Sequence, residues 1–263
     1  MSFLHAMVLG LLQGLTEFLP VSSSGHLVIA QHLLPGFDQP GVLFDVLLHG
    51  GTMAAVVVYF WRDCRNLATA CFVQHDEAHQ YRHLLRLLVI GSIPAAIVGL
   101  SFKEFFIGAF DNLLLVSSML MVTGCLLYLS ERFRKNGRDA GRLRVRDALI
   151  AGVAQAGAIM PGISRSGSTI SALLFQGVSG ETAARFSFLM ALPAVLGAAL
   201  LSLSDLQAVR SADIPVYAVG TCMAFVSGLA SIHLLLGVVR RRRLYAFALY
   251  CWVVGGIFFA VSL

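Results

Sequence analysis

Charged side chains are scarce in this sequence, and their scarcity excludes most soluble architectures. Asp, Glu, Lys and Arg together make up 13% of 263 residues, where an ordinary soluble domain carries about 25%. The charges that remain fall in short runs, 57% of the residues are hydrophobic, and the mean hydropathy is +0.80. Such a chain is expected to be an integral membrane protein. Paired cysteines are missing as well. Cys64, Cys71, Cys125, Cys222 and Cys251 have neither disulfide-framework nor metal-ligand spacing, and four stand in or beside apolar segments, so they read as small core hydrophobes. No Lys or Arg precedes the apolar stretch 3–15, and no small-residue cleavage pattern follows it before Glu17 and Pro20. A cleaved signal segment is therefore not expected. The net charge of +5 sits in loops beside apolar segments, which argues against a nucleic-acid partner.

Long apolar runs are what the sequence has in quantity. Six are of the length that crosses a bilayer, about 20 residues: 41–60, 84–102, 112–131, 185–204, 214–239 and 244–262. Two further apolar regions, 1–34 and 147–176, are broken midway by Pro, Gly and several Ser, which interrupt a helix. Each half is too short to span alone, so both read as re-entrant helix–loop–helix hairpins. Trp61 and Trp252 suit interfacial anchors.

The two broken regions resemble each other. At a fixed offset of 142, Gly10, Gln13, Ser22, Ser24 and Gly25 recur as Gly152, Gln155, Ser164, Ser166 and Gly167. Counting crossings places the hairpins on opposite faces, which makes the repeats inverted. The expected fold is all-α, a polytopic membrane protein of six transmembrane helices plus two re-entrant hairpins in an inverted-topology repeat. Its parts are a first repeat at 1–131, a basic loop at 132–146 and a second repeat at 147–263. Basic residues fix the orientation. One face receives Arg62, Arg65, Arg82 and Arg86, seven Lys and Arg between 132 and 146, and Arg240 to Arg243, fifteen of the nineteen. The other face has Lys103 and Arg210. By the positive-inside rule the basic face is cytoplasmic, and both termini face outward.

Broken backbone at membrane depth is tolerated only inside protein or along a watery cavity, and inverted repeats bring their breaks together near the midplane. That would set Ser22, Ser23, Ser24 and His26 opposite Ser164, Arg165, Ser166, Ser168 and Thr169. A new half-helix starts after each break, with Ser as N-cap and its free N–H groups aimed inward. Two such ends, ringed by hydroxyls and joined by the guanidinium of Arg165, suit an anion such as phosphate. An Arg at this depth needs a partner. Glu17 is one candidate, and a structural pair and a functional role are compatible. Gln13 lies one turn before Glu17 on the same face. A carboxylate beside phosphate repels it unless it acts as a base or meets a divalent cation. His26 is placed to polarise a hydroxyl or a water. Asp45 and His49, one turn apart, are weaker candidates to line the cavity. Glu181 and Arg185 are spaced to pair with each other.

The segments Q-G-L-T-E-F-L-P-V-S-S-S-G-H at 13–26 and P-G-I-S-R-S-G-S-T at 161–169 resemble the two signature motifs of the undecaprenyl-diphosphate phosphatase family, the bacitracin-resistance membrane phosphatases. Length, hydropathy profile and motif order extend the likeness over nearly the whole chain. The family's first motif reads Glu or Gln, three residues, then Glu. Gln13 and Glu17 fill it in the Gln form, leaving a single carboxylate for a metal. The resemblance implies hydrolysis of undecaprenyl diphosphate to the monophosphate and phosphate, which recycles the lipid carrier for peptidoglycan synthesis and confers bacitracin resistance. It implies Glu17, Ser23, His26 and Arg165 as the essential set, with Ser164 and Thr169 on the phosphate side; Gln13, Ser22, Ser24 and Ser166 are read from their positions around the breaks as further substrate contacts. It also implies a divalent cation, Mg or Ca, held by Glu17 and arriving with substrate. Its setting would be the bacterial inner membrane, among membrane lipids, with the active site toward the periplasm; a homodimer is open. Whether Ser23 or a water attacks is likewise open.

Two rivals differ in class. Type 2 phosphatidic acid phosphatases share S-G-H, but they need a His six positions after the Arg of their S-R, where this chain has Ser171. A lipid transporter or flippase would also use broken helices in inverted repeats. The density of hydroxyl, His, Glu and Arg groups favours the enzyme.

Overall fold

The computed structural model describes residues 1–34, 42–72, 76–134, 137–201 and 213–263. Their helices are α1 (Phe3–Phe18), α2 (Ser23–Leu33), α3 (Val42–Tyr59), α4 (Trp61–Thr69), α5 (Asp76–Ser101), α6 (Lys103–Ala109), α7 (Leu113–Arg132), α8 (Val145–Gly157), α9 (Arg165–Phe175), α10 (Gly180–Leu201), α11 (Ile214–Arg240) and α12 (Tyr245–Val261). Beyond a single bridge between Arg138 and Val178, no strand occurs among the described residues. The protein is all-α.

Each of the six apolar runs expected to span falls on a helix: α3, α5, α7, α10, α11 and α12. By length and composition, three of these qualify as spans among the described residues, within α5, α7 and α11. A fourth is reached if α3 and α4 count as one span bent by 84°. The end of the 185–204 run and Arg210 lie outside the described residues. The bend has a cause in sequence. Apolar residues end at Trp61, and Arg62, Asp63, Arg65 and Asn66 follow. The chain stays helical but turns across the bundle, where a loop was expected. Helix α5 begins at Asp76 rather than at 84, because Tyr81 donates to Asp63 of α4 at 3.2 Å and His83 Nε2 meets the Leu143 carbonyl at 3.0 Å.

Both broken regions are helix–break–helix hairpins. Helix α2 and helix α9 sit at positions shifted by the same 142, from 23 to 165 at their starts and from 33 to 175 at their ends. Hairpin α1–α2 packs Ala6, Leu9 and Leu27 with Leu43 and Phe44 at the start of α3 and Val216 and Tyr217 at the start of α11. Hairpin α8–α9 is fastened at the other end of the bundle, where Arg138 grips Asp147 through two bonds of 2.9 Å. There Arg134 also donates to the Val239 carbonyl at 3.0 Å, and the Leu244 amide to Glu131 at 3.2 Å. The two hairpins are thus anchored near opposite ends of α11. Each is held by a close helix crossing of the small-residue kind: a Cβ on Gly10 would lie 2.2 Å from the Gly220 carbonyl oxygen, and one on Gly152 would lie 2.2 Å from that of Gly91.

Two sequence expectations need correction. Glu181 and Arg185 do not pair with each other. Glu181, in the first turn of α10, takes bonds of 2.9 and 2.6 Å from Arg240 at the end of α11, whereas Arg185 turns to Asp63 of α4. Helical spacing aligned the two, but neighbouring helices supply better-placed partners. Of the five free cysteines only Cys251 is buried, while Cys71, Cys125 and Cys222 are exposed. An outward face in lipid is as apolar as the interior, so hydropathy does not separate the two.

Candidate functional site

The two breaks meet in the middle of the bundle. In the first, Pro20 ends α1, and Ser22 takes φ 69°, one of two non-glycine residues with positive φ among those described. That conformation costs roughly 1–2 kcal/mol for an L-residue. It lets the Ser22 hydroxyl accept from the Gly25 amide at 3.3 Å and so cap α2. In the second, Gly162 has φ +92°, and a Cβ there would meet the Val116 carbonyl oxygen at 2.2 Å, which restricts the position to glycine. Ser164 then caps α9 by accepting from the Gly167 amide at 3.0 Å. The breaks touch directly: Ser166 Oγ donates to the Leu19 carbonyl at 3.3 Å, and a Cβ on Gly25 would lie 3.2 Å from Gly162 Cα.

Glu17 is the centre of this contact. Its side chain is 3% exposed, and Arg165, Ser23 and Gln13 all donate to it. Arg165, from the other hairpin, pairs with Oε1. On Oε2, Ser23 Oγ donates at 2.6 Å and Gln13 Nε2 at 2.9 Å, with His49 Nδ1 at 3.4 Å. The same Gln13 nitrogen lies 2.9 Å from His49 Nδ1. A flipped Gln13 would turn its carbonyl oxygen toward the carboxylate, so the amide orientation is set by Glu17. His49 Nδ1 thus faces a donor, the Gln13 NH2 group, and an acceptor, Glu17 Oε2, at the same time. The remaining Gln13 oxygen is buried without a hydrogen-bond partner.

The expected residues therefore divide into groups. Gln13, Glu17, Ser23 and Arg165 come together. Ser22 and Ser164 form caps, each also within reach of the hydroxyl two residues on, Ser24 at 3.3 Å and Ser166 at 3.2 Å. Thr169 is engaged inside the protein, with its hydroxyl 2.6 Å from Ser187 Oγ. His26 is not joined to Ser23. Its Nδ1 lies 2.8 Å from the Ser22 carbonyl one turn back, which swings the ring along α2, and its Nε2 lies 2.8 Å from the Tyr250 hydroxyl. Sequence reasoning ranked His49 too low, although a polar pair one turn apart inside an apolar run was the available signal. Tyr250 carried no signal: an aromatic residue in an apolar run is ordinary.

A metal site made by protein ligands alone does not fit. Among the described residues no three His, Cys, Asp or Glu side chains are grouped to hold an ion, and both oxygens of Glu17 already accept from donors. What the site does offer is one carboxylate and the orphan oxygen of Gln13, two ligands for an ion that brings others with it.

The chain resembles known proteins along nearly its full length. The model of the family described as bacitracin resistance protein BacA matches residues 6–257. An undecaprenyl-diphosphatase of Syntrophotalea carbinolica is 77% identical over 262 residues, covering 100% of both chains. One of Halothermothrix orenii is 43% identical, covering 97% of this chain and 96% of its own. One of Methanobrevibacter smithii is 38% identical, covering 100% and 99%.

Removing one partner of the buried pair should cost stability that removing both does not. Arg165→Gln leaves the Glu17 charge buried and should cost about 3–5 kcal/mol, read as a lower melting temperature in detergent. Glu17→Gln with Arg165→Gln should recover most of that loss. A double variant as unstable as Arg165→Gln would show that the loss does not come from an unpaired Glu17 charge.

Proposed function

The chain belongs to the bacitracin resistance protein BacA family, and on that premise we propose that Glu17, Ser23, Arg165 and His26 carry the hydrolysis of a prenyl diphosphate. The reaction is that of an undecaprenyl-diphosphatase: undecaprenyl diphosphate and water give undecaprenyl phosphate and inorganic phosphate, which returns the lipid carrier to cell-wall synthesis and underlies bacitracin resistance. The enzyme is a multi-pass membrane protein.

The observation that carries the assignment is the Ser23 hydroxyl donating to Glu17 Oε2 at 2.6 Å while Arg165 holds the other oxygen. A hydroxyl bonded to a carboxylate base is a nucleophile in waiting. Ser23 Oγ attacks the terminal phosphorus as Glu17 takes its proton. The anhydride P–O bond breaks, and undecaprenyl phosphate leaves with the electron pair. Water then attacks the phosphoserine, His26 takes the water's proton, and Glu17 returns its own to Ser23 as phosphate departs. Arg165 turns from Glu17 to the phosphate, where its planar fork matches two oxygens. The N-terminal amides of α2 and α9 add donors to the same charge. Ser22 and Ser164 keep these helix ends in place, Ser24 and Ser166 complete the polar wall, and Thr169, buried behind it, steadies the first turn of α9 by donating to the Arg165 carbonyl at 2.8 Å.

A divalent cation, Mg or Ca, is proposed to arrive on the diphosphate, with Glu17 and the Gln13 carbonyl oxygen as its protein ligands. Its contribution would be to offset the charge that the diphosphate brings beside Glu17. Six spans and two re-entrant hairpins in an inverted repeat, in the parts 1–131, 132–146 and 147–263, make up the proposed topology. The shared offset of α2 and α9 and the paired crossings at Gly10 and Gly152 support it. The basic end of the bundle would face the cytoplasm, and the first hairpin would open to the periplasm.

Three outcomes are expected. Arg165→Lys and Ser23→Ala should each lower kcat by at least about 10²–10³ in phosphate release from undecaprenyl diphosphate, with insertion into the membrane preserved; a fully active Ser23→Ala protein would move the attack onto water. Excess chelator should abolish turnover and Mg or Ca restore it, whereas unchanged turnover would leave Glu17 as a base without an ion. A reporter active only outside the cytoplasm should be active when fused after Leu263 and silent within 135–142, and the reverse pattern would overturn the orientation.

A further inference from the structure

Tyr250 comes from the last helix, 224 positions along the chain from His26, and meets it in two ways. Its hydroxyl lies 2.8 Å from His26 Nε2, and the rings stack with centroids 5.6 Å apart and planes 9° from parallel. The other ring nitrogen settles the proton positions. His26 Nδ1 lies 2.8 Å from the Ser22 carbonyl, which can only accept, so Nδ1 carries the proton. In the neutral ring Nε2 is then the acceptor, and the Tyr250 hydroxyl is the donor. Both contacts rest on well-anchored backbone. Ser22 is held by its cap on α2, and its carbonyl also accepts from the His26 amide at 3.2 Å. The α12 backbone at this level is pinned to the first break, with Val21 in one cluster with Leu120, Ala248 and Cys251, and Cys251 Sγ 3.8 Å from the Pro20 carbonyl.

We infer that Tyr250 is the positioning residue for His26: its hydroxyl, donating to Nε2, holds the Nδ1–H imidazole in one orientation until the attacking water displaces that hydroxyl and takes its place on the Nε2 electron pair. The ring of Tyr250 limits rotation, and its hydroxyl matches the tautomer that the Ser22 carbonyl sets. The inference rests on the reading of His26 as the base that serves the attacking water. A base needs its electron pair both free of a proton and correctly aimed; here the Ser22 carbonyl keeps Nε2 unprotonated, and the Tyr250 hydroxyl fixes the direction from which the water replaces it. The sequence spacing hid this link, since no local pattern joins 26 to 250.

The test uses the full-length protein in detergent, with phosphate release from undecaprenyl diphosphate as the readout. Tyr250→Phe keeps the ring over His26 and removes only the hydroxyl, so a packing role predicts no change. The expected result is a kcat about tenfold lower, the loss of one well-aimed hydrogen bond, with KM and melting temperature within error of the parent. p-Aminophenylalanine at position 250 restores a donor and should restore most of kcat. An unchanged kcat in Tyr250→Phe overturns the inference, and so does a loss confined to KM, which would mean that Tyr250 contacts the lipid instead. Should the Phe protein fail to fold, p-methylphenylalanine, with the size of Tyr and no donor, gives the same comparison. His26→Gln is measured alongside: if it is fully active, the base reading falls, and that failure is separate from an inactive His26→Gln accompanied by an indifferent Tyr250→Phe.

Discussion

The structure depends on one ion pair whose carboxylate, on Glu17, is buried and whose guanidinium, on Arg165, is mostly so. Glu17 alone in the interior would be too costly to keep charged, and so would Arg165. Each is tolerable because the other approaches from the opposite hairpin. That requirement fixes much else. Both hairpins must break where they meet, both breaks must be capped from within the protein, and the two hairpins must be packed against each other. Pro20, the strained Ser22, the obligatory Gly162 and the cap at Ser164 are the local means of meeting these conditions. The close crossings at Gly10 and Gly152 are the global means.

The two hairpins share a frame but not a chemistry. The first supplies the carboxylate, the hydroxyl and the imidazole; the second supplies the guanidinium. Equivalent positions have diverged accordingly. Gln13 donates to Glu17, whereas Gln155, its counterpart at the offset of 142, is buried with both amide atoms unpartnered. Ser22 and Ser164 both cap a helix, yet only Ser22 has a positive φ. Both carbonyls accept from the amide four residues on, but only that of Ser22 also meets an imidazole, because the counterpart of His26 at the offset of 142 is Ser168.

Much of this was legible in the sequence for a physical reason. Hydropathy over twenty residues and Pro-Gly-Ser interruptions are local properties, so helices α3, α5, α7, α10, α11 and α12 and both hairpins could be placed. The core of the site was legible because an Arg and a Glu among apolar residues have few other uses. What was hidden depended on contacts between distant segments. Arg185 and Glu181 look paired along their own helix, and only the approach of α4 and α11 redirects them. The turn into α4 depends on the buried Asp63, which needed its partner Arg185 in view. Tyr250 is one of many aromatics in apolar runs, and only the packing of α12 against the first break gives it a role.

The claim that two separate breaks form one site has a direct test. A Cβ on Gly167 would lie 3.3 Å from the Cβ of Pro20, close to the separation of about 3.5–4.5 Å found across a disulfide. Pro20→Cys with Gly167→Cys, in a Cys251→Ala background and with a protease site inserted in the 132–146 loop, should cross-link on mild oxidation in native membranes. After proteolysis the two halves should then migrate as one species and separate on reduction. Halves that separate without reduction, while a matched pair within one hairpin does cross-link, would contradict the meeting of the breaks and with it the shared site.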